Sequence, residues 1–159
     1  MKRSLAAALL MMIAATALAQ NNTLELLRQD LKTQKVDIMT ASVPLTEKEA
    51  DAFWPIYRDY AHELSKIGDR RIKVIKEIAE SYQGMDVKKA ESLVKESFSI
   101  AEARNSLLKK YYNKMSKAVG VLTAARFLQV ENQMLTLLDA QVIDQVPLIK
   151  TGAAGKEKK

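Results

Sequence analysis

The sequence has no cysteine and a single histidine, His62, among its 159 residues. Without cysteine the chain can form neither a disulfide nor a thiol-based catalytic or metal site. One histidine cannot make a two-histidine metal motif, and a catalytic triad would have no base to spare. No glycine-rich phosphate loop is present either. We therefore expect no enzymatic activity and no bound metal or cofactor, and we interpret His62 as an ordinary surface residue.

Glycine and proline are also scarce, with five and three copies respectively. So few of these residues allow few tight turns, and long segments with helical spacing of apolar residues lie between them. The sequence therefore predicts an all-α fold.

A long hydrophobic run occurs only at the N-terminus. Lys2 and Arg3 precede an apolar segment over residues 5–18, and a small-x-small cleavage pattern ends at Ala19. This arrangement is typical of a secretory signal peptide over residues 1–19. The alternative, an uncleaved membrane anchor, is less favoured because a membrane span needs about 20 apolar residues. We expect a periplasmic protein that has no integral membrane span after cleavage.

Positive charge is not concentrated in the body of the chain. The net charge of +6 falls to +4 when Lys2 and Arg3 leave with the signal peptide, and residues 150–159 carry most of that remainder. A nearly neutral body with both signs interspersed argues against a nucleic-acid partner. We predict one helical domain over residues 20–149, followed by a disordered lysine-rich tail over residues 150–159.

Start and stop signals divide the domain into four helices. Predicted N-caps are Thr46, which forms a capping-box pattern with Glu49, and then Asp86 and Thr123. Gly84 and Gly120 are predicted to end the two long helices. The predicted helices run from about Thr23 to Thr40, from Thr46 to residue 83, from Asp86 to Val119, and from Thr123 to a point before Pro147.

Pro55 interrupts the second of these helices beyond its first turn. There the proline ring lacks the backbone N–H that the helix needs, and it clashes with the carbonyl of Asp51. We expect either a kink at this point or a break, with one helix ending at Trp54 and a new one beginning at Pro55.

The two long helices carry more apolar surface than they can bury against each other. Their short connection over residues 82–86 makes them antiparallel neighbours. Their apolar arcs span about 160° and 180°, whereas a two-helix hairpin buries a narrow stripe on each helix. The surplus must lie against the shorter N- and C-terminal helices, against a second copy of the chain or against another partner.

Candidate partner-binding residues come from this surplus. Most are aromatic residues of the two long helices, and two are arginines that fall within the apolar arcs. They are Phe53, Trp54, Tyr57, Tyr60, Phe98, Tyr111, Arg71 and Arg104.

Two interpretations of the arginines remain open. Projection along the hairpin places Arg71 near Phe98 and Glu102, and Arg104 near Glu63. Ion pairs or stacking at these positions would fix the register of the hairpin. Alternatively, both arginines face an amphipathic partner surface, where arginine is enriched.

A leucine-threonine pair occurs at two predicted helix starts. In this respect the chain resembles the Spy/CpxP family of periplasmic stress proteins, whose signature is Leu-Thr-x-x-Gln occurring twice around a long helical hairpin. Leucine and threonine match in both copies, but neither copy keeps the glutamine. The resemblance spans about residues 42–141 and describes a divergent relative. Its motif positions are Leu45, Thr46, Glu49, Leu122, Thr123 and Arg126.

The resemblance implies a small homodimer shaped like a curved cradle. Such a protein holds unfolded or partly folded envelope proteins on an amphipathic helical surface without ATP. The alternative is a regulatory adaptor that binds one envelope stress sensor. A membrane-surface role for the lysine-rich tail is a third hypothesis.

Overall fold

The computed structural model describes residues 33–143 and 146–151. The predicted signal peptide, residues 23–32 of the predicted first helix and tail residues 152–159 lie outside the described residues. The chain divides into two compact units, Met1–Ser42 and Val43–Lys159. In the first unit, residues 33–42 form the described part of helix α1. Throughout the described residues the regular structure is helical, which confirms the all-α prediction.

The second unit begins with the long helix α2, Glu47–Ser81. The predicted capping box is present: the Glu49 N–H donates to the Thr46 hydroxyl at 3.3 Å, and the Thr46 N–H donates to the Glu49 carboxylate at 2.9 Å. These bonds satisfy backbone donors that the first helical turn leaves without partners. They also lower the pKa of Glu49, because the carboxylate accepts hydrogen bonds in its charged form.

Helix α2 continues through Pro55, so of the two expected outcomes, a kink or a break, the break does not occur. Pro55 is exposed, as is Asp51, whose carbonyl loses its usual helical donor. The buried side of the helix bears Phe53 and Tyr57. Tertiary packing on that side outweighs the local cost of the proline.

Helix α3, Val87–Val119, begins at the predicted N-cap, where the Lys89 N–H donates to the Asp86 carboxylate at 2.9 Å. Gly120 ends it with φ 88° and ψ 159°, a conformation open essentially only to glycine. Gly84 does not directly follow the cap of α2, and among the described residues Gly120 alone has a positive φ. The preceding helix instead ends at Tyr82 in a right-handed conformation.

Helix α4, Val121–Ile143, follows Gly120 directly. Thr123 is therefore not its N-cap but lies within its first turn, and the first described bond of this turn runs from the Ala124 N–H to the Gly120 carbonyl at 3.1 Å. The sequence signal for a cap was misleading because a single glycine reverses the chain here.

Contacts between side chains give the direction of each helix. Lys110 pairs with Glu63 and Lys89 pairs with Glu77, so α2 and α3 are antiparallel, which confirms the predicted hairpin. Helix α4 turns back along α3. It runs parallel to α2, and those two helices meet through long side chains rather than by close backbone approach.

The core changes character along the hairpin. Where three helices meet, it is built from aromatic residues and methionine: Phe53, Tyr57, Tyr60, Tyr111, Met115, Phe127 and Met134. Towards the connection between α2 and α3 it is a smaller aliphatic cluster of Val74, Leu93 and Ile100, against which Ile67, Ile78 and Met85 pack. Large rings fill the space between α2 and α4 where the backbones stay apart.

Residues 146–151, which we call the strap, follow α4 without helical structure. The Val146 N–H donates to the Ile143 carbonyl at 3.1 Å, and the Lys150 N–H donates to the Tyr82 carbonyl at 2.9 Å. The strap thus reaches the connection between α2 and α3, the end of the hairpin that α4 does not reach. Lys150, assigned to the tail by composition, has a defined contact in the structure.

Among the described residues, none of the helices combines the length and the apolarity that crossing a membrane requires.

Candidate functional site

The most exposed large aromatic side chain of the hairpin is Phe98 on α3, which is 67% exposed. Val94, at 50%, and Val87, at 74%, precede it by four and eleven residues. This spacing places all three on one face of α3, and Ala101 continues the same face and is also exposed. We call these four residues the α3 stripe.

Apolar groups on one exposed face are the kind of surface that binds other proteins. Because the α3 stripe points away from both neighbouring helices, it is the part of the predicted apolar surplus that the described helices do not cover.

The other aromatic candidates lie inside the chain's own core. Phe53, Tyr57, Tyr60 and Tyr111 are at most 2% exposed. Phe127 of α4 meets three of these rings, with centroids 6.0 Å from Phe53, 6.2 Å from Tyr57 and 5.4 Å from Tyr60, all near perpendicular. Edge-to-face contacts at these distances are favourable. In this structure the four residues join α2 and α3 to α4 and do not contribute to the exposed surface.

Trp54 is half-buried and lies at the margin of this cluster. Its ring centroid lies 5.2 Å from that of Phe53 and 5.6 Å from that of Tyr57, and both contacts are edge-to-face. Trp54 therefore covers the outer side of the cluster and retains some exposed surface.

A carboxylate, Glu131 of α4, is fully buried among the aromatic rings. The Tyr60 hydroxyl donates to it at 2.9 Å. Burial raises the pKa of Tyr60, and the Glu131 charge adds to this effect because a second negative charge nearby is unfavourable. The pKa of Tyr57 is raised by burial and by Glu131 in the same way. Both phenols consequently stay neutral at physiological pH.

The two candidate arginines share one partner. Arg71 of α2 and Arg104 of α3 both donate to Asp139 of α4, the latter at 2.8 Å. All three side chains are between a quarter and a third exposed. The ion-pair interpretation is confirmed, but the expected partners are wrong. The hairpin projection pointed to Glu102 and Glu63, whereas the carboxylate comes from the third helix.

On another side of the hairpin, Glu63 organises a groove between α2 and α3 of about 630 Å³. Glu63 accepts hydrogen bonds from Lys110 at 2.8 Å and from the Tyr111 hydroxyl at 2.7 Å. The hydrogen bond from Lys110 lowers the pKa of Glu63, and that from Tyr111 adds to it. Burial, followed by the bond to Glu63, raises the pKa of Tyr111 to about 12. The ammonium of Lys114 lies 4.8 Å from the Tyr111 ring centroid.

Two further glutamates are held in the same manner. Arg70 donates to Glu96 at 2.8 Å, and Lys89 donates to Glu77 at 2.5 Å. Each bond lowers the pKa of its carboxylate. We call Glu63, Glu77 and Glu96 the paired glutamates, and they line the boundary between α2 and α3 with charge already satisfied within the chain.

At the other end of the unit, the second copy of the Leu-Thr motif lies near the residues that precede the first copy. A depression of about 390 Å³ is lined by Val43 and Pro44, just before the first motif copy, and by Leu122, Thr123 and Arg126 of the second. Leu122 is 86% exposed, whereas Leu45 and Glu49 are half-buried. Thr46 and Glu49 act as a helix cap, so the first copy has a clear structural role.

Sequence reasoning missed Glu131 and Asp139. Glu131 follows Phe127 by four residues and precedes Met134 by three, so helical projection places it on the apolar face of α4. A charged residue on such a face rarely stays unpartnered when buried, and this signal could have identified it. Asp139 gave no such signal, because its role depends on how α4 lies across the hairpin.

Among residues 33–143 and 146–151, no group of three or more histidine, cysteine, aspartate or glutamate side chains is arranged to hold a metal ion. In the comparisons with known proteins, no family model, curated protein or solved structure matches the chain.

Proposed function

We propose that this protein is a periplasmic, ATP-independent chaperone that holds unfolded or partly folded envelope proteins on an amphipathic helical surface. The proposal includes export with cleavage after Ala19, membership of the Spy/CpxP family as a divergent relative, and a cradle-like homodimer. The observation that carries it is the α3 stripe, an exposed apolar face on a helix whose opposite side is fixed in a well-packed core.

The chemistry of the stripe suits weak binding of many sequences. Phe98 offers a large apolar contact at the cost of ordering few rotatable bonds, and the valines extend the surface along the helix. Lys95 and Glu102 are exposed within the same stretch of α3, so both charge signs border the apolar groups. An unfolded chain exposes mixed apolar and charged segments, which such a surface can contact without a shaped pocket.

Client aggregation provides the test. We would measure light scattering of two unrelated client proteins, one aggregated by heat and one by reduction of its disulfides, with the mature chain in stoichiometric amounts. The chain contains no cysteine, so the reductant acts on the client alone. We expect the wild-type chain to suppress scattering. The variant Phe98→Ser should need a several-fold higher concentration to reach the same suppression.

Leu137→Ser is the matched control, because Leu137 on α4 is 66% exposed, nearly the same as Phe98, but lies outside the α3 stripe. This variant should suppress aggregation as well as the wild-type chain. Unchanged aggregation of both clients would exclude the chaperone activity. A pull-down from envelope extract that returned one stoichiometric partner would favour the regulatory adaptor instead.

A further inference from the structure

Both helices of the hairpin, α2 and α3, extend beyond the end of α4. Contacts of Tyr60 with Glu131 and of Arg71 with Asp139 set the parallel register of α2 and α4. With this register, Ile143 at the end of α4 lies level with the middle of the second half of α2. Helix α4 therefore does not extend over the last turns of α2, the first turns of α3 or their connection. We call residues 75–86, the end of α2 and the connection, the hairpin tip.

Apolar groups are nevertheless present on the tip. Ile75, Ile78, Tyr82 and Met85 are half-buried, and Ile78 and Met85 pack on the aliphatic cluster beneath. A two-helix hairpin does not bury such residues on both sides by itself. The strap runs from the end of α4 to Tyr82 in this part of the hairpin.

The strap is attached by few contacts. Pro147 prevents the helix from continuing, and the described residues after it have no regular structure. At the far end, the Lys150 N–H donates to the Tyr82 carbonyl at 2.9 Å, and the Lys150 ammonium lies 5.9 Å from the centroid of the Tyr82 ring. Val146 and Pro147 are half-buried, whereas Leu148 is 90% and Ile149 38% exposed. An extended segment therefore lies on the tip with one backbone hydrogen bond and one cation–π contact at its end.

We infer that the hairpin tip is a docking site for an extended polypeptide segment with aliphatic side chains followed by a basic residue, and that the strap occupies this site in cis. The strap itself shows the chemistry that fits: half-buried apolar groups, a backbone N–H for the Tyr82 carbonyl and a cation for the Tyr82 ring. Segments of this composition are common in unfolded proteins, so a client segment can replace the strap. The inference rests on the proposed function and assigns it a second, regulated surface apart from the α3 stripe.

A reversible covalent lock tests this inference in the full mature chain. The double variant Tyr82→Cys/Lys150→Cys places two cysteines at residues joined by a backbone hydrogen bond, a separation that a disulfide can span. Because the wild-type chain has no cysteine, no other disulfide can form within it. Oxidation fixes the strap on the tip and reduction releases it, so the same molecule serves as its own control. Both states of this variant lack the Tyr82 ring equally, so they differ only in the position of the strap. We expect the reduced form to bind a heat-unfolded client more tightly than the oxidised form does, through the remaining apolar groups of the tip and the backbone carbonyl of residue 82.

A peptide measurement keeps the test independent of that variant. A fluorescent peptide with the strap sequence VPLIKT would be titrated against the wild-type chain and against Lys150→Glu, which weakens the strap. If the strap covers the site nine-tenths of the time, removing this competition tightens apparent binding about tenfold. Lys158→Glu, an equal change of charge in the tail, should match the wild-type chain, and a scrambled peptide should bind neither protein.

The outcomes separate the two proposals. Two results together would overturn the inference: the oxidised and reduced forms bind the client equally, and Lys150→Glu binds the strap peptide no better than the scrambled peptide. Suppression of client aggregation by the wild-type chain would still support the chaperone proposal in that case. Binding of the strap peptide without suppression of aggregation would support the docking site and count against the chaperone.

Discussion

Removing one hydroxyl, in the variant Tyr60→Phe, should destabilise the protein strongly. Tyr60 and Glu131 are both fully buried, and their hydrogen bond is 2.9 Å long. A phenyl ring fills nearly the same space, so the packing against Phe127 should persist. The carboxylate, however, loses a donor that water cannot easily replace. The loss of a hydrogen bond to a buried charged group costs about 2 kcal/mol.

Thermal and urea denaturation followed by circular dichroism would measure this loss. For a chain of this length, about 2 kcal/mol corresponds to a fall in Tm of about 4–8 °C. Tyr111→Phe is the matched control, since the Tyr111 hydroxyl also donates to a glutamate, Glu63. The side chain of Glu63 is 37% exposed and is also bound by Lys110, so we expect less than half the effect.

A double variant sharpens the test. Replacing both polar partners, in Tyr60→Phe/Glu131→Leu, removes the need for the hydrogen bond together with its donor. This variant should recover a substantial part of the stability that Tyr60→Phe loses. Two results would show that this bond does not hold α4 to the hairpin. One is that Tyr60→Phe is no less stable than Tyr111→Phe. The other is that the double variant loses as much stability as Tyr60→Phe and Glu131→Leu lose together.

Three further predictions concern the turn, the arginine pair and pH. In urea denaturation, Gly120→Ala should lower the free energy of unfolding by about 1–3 kcal/mol, because the backbone conformation of Gly120 is closed to alanine. Gly68→Ala within α2, where an added methyl meets nothing within 4 Å, should raise it by up to about 1 kcal/mol. Equal effects of the two changes would contradict this. Asp139→Asn should lose about 1 kcal/mol at low salt and less at high salt, and a loss independent of salt would argue against the shared ion pair. Stability should fall as the pH drops below 4.5, the ordinary pKa of glutamate. The paired glutamates have lowered pKa values in the folded protein, so they stabilise it only while their carboxylates are charged. Stability should also fall as the pH rises from 10 towards about 12, because in this range Tyr111 loses its proton in the unfolded chain before it does so in the folded protein. A free energy of unfolding that does not change with pH would contradict both the acid and the alkaline prediction.

Helix boundaries could be predicted where their signals are local. The capping box at Thr46, the cap at Asp86 and the stop at Gly120 each depend on neighbours a few residues away, and all three are present. The cap at Thr123 was wrong because Gly120 lets the next helix start at once. At Pro55 the sequence left a kink or a break open, and the helix is unbroken because burial of Phe53 and Tyr57 on it outweighs a local defect.

The sequence could predict which kinds of residue form the candidate site, but not which of them are exposed. Helical projection identified more apolar surface than the hairpin can bury, and this surplus exists. It did not reveal how the surplus divides. Phe127 of α4 inserts among the α2 aromatics and buries them, whereas Phe98 on α3 stays exposed because α4 does not cover that face.

The amino-acid sequence by itself determined the all-α class, the antiparallel hairpin and the caps that set its ends, because these follow from periodicity and from hydrogen bonds between near neighbours. Only the tertiary structure decided which aromatic residues are core and which are surface, that Asp139 serves both arginines, and that the strap reaches Tyr82. Each of these depends on the register of α4 against α2, which large buried rings and one buried carboxylate fix between residues far apart in the chain.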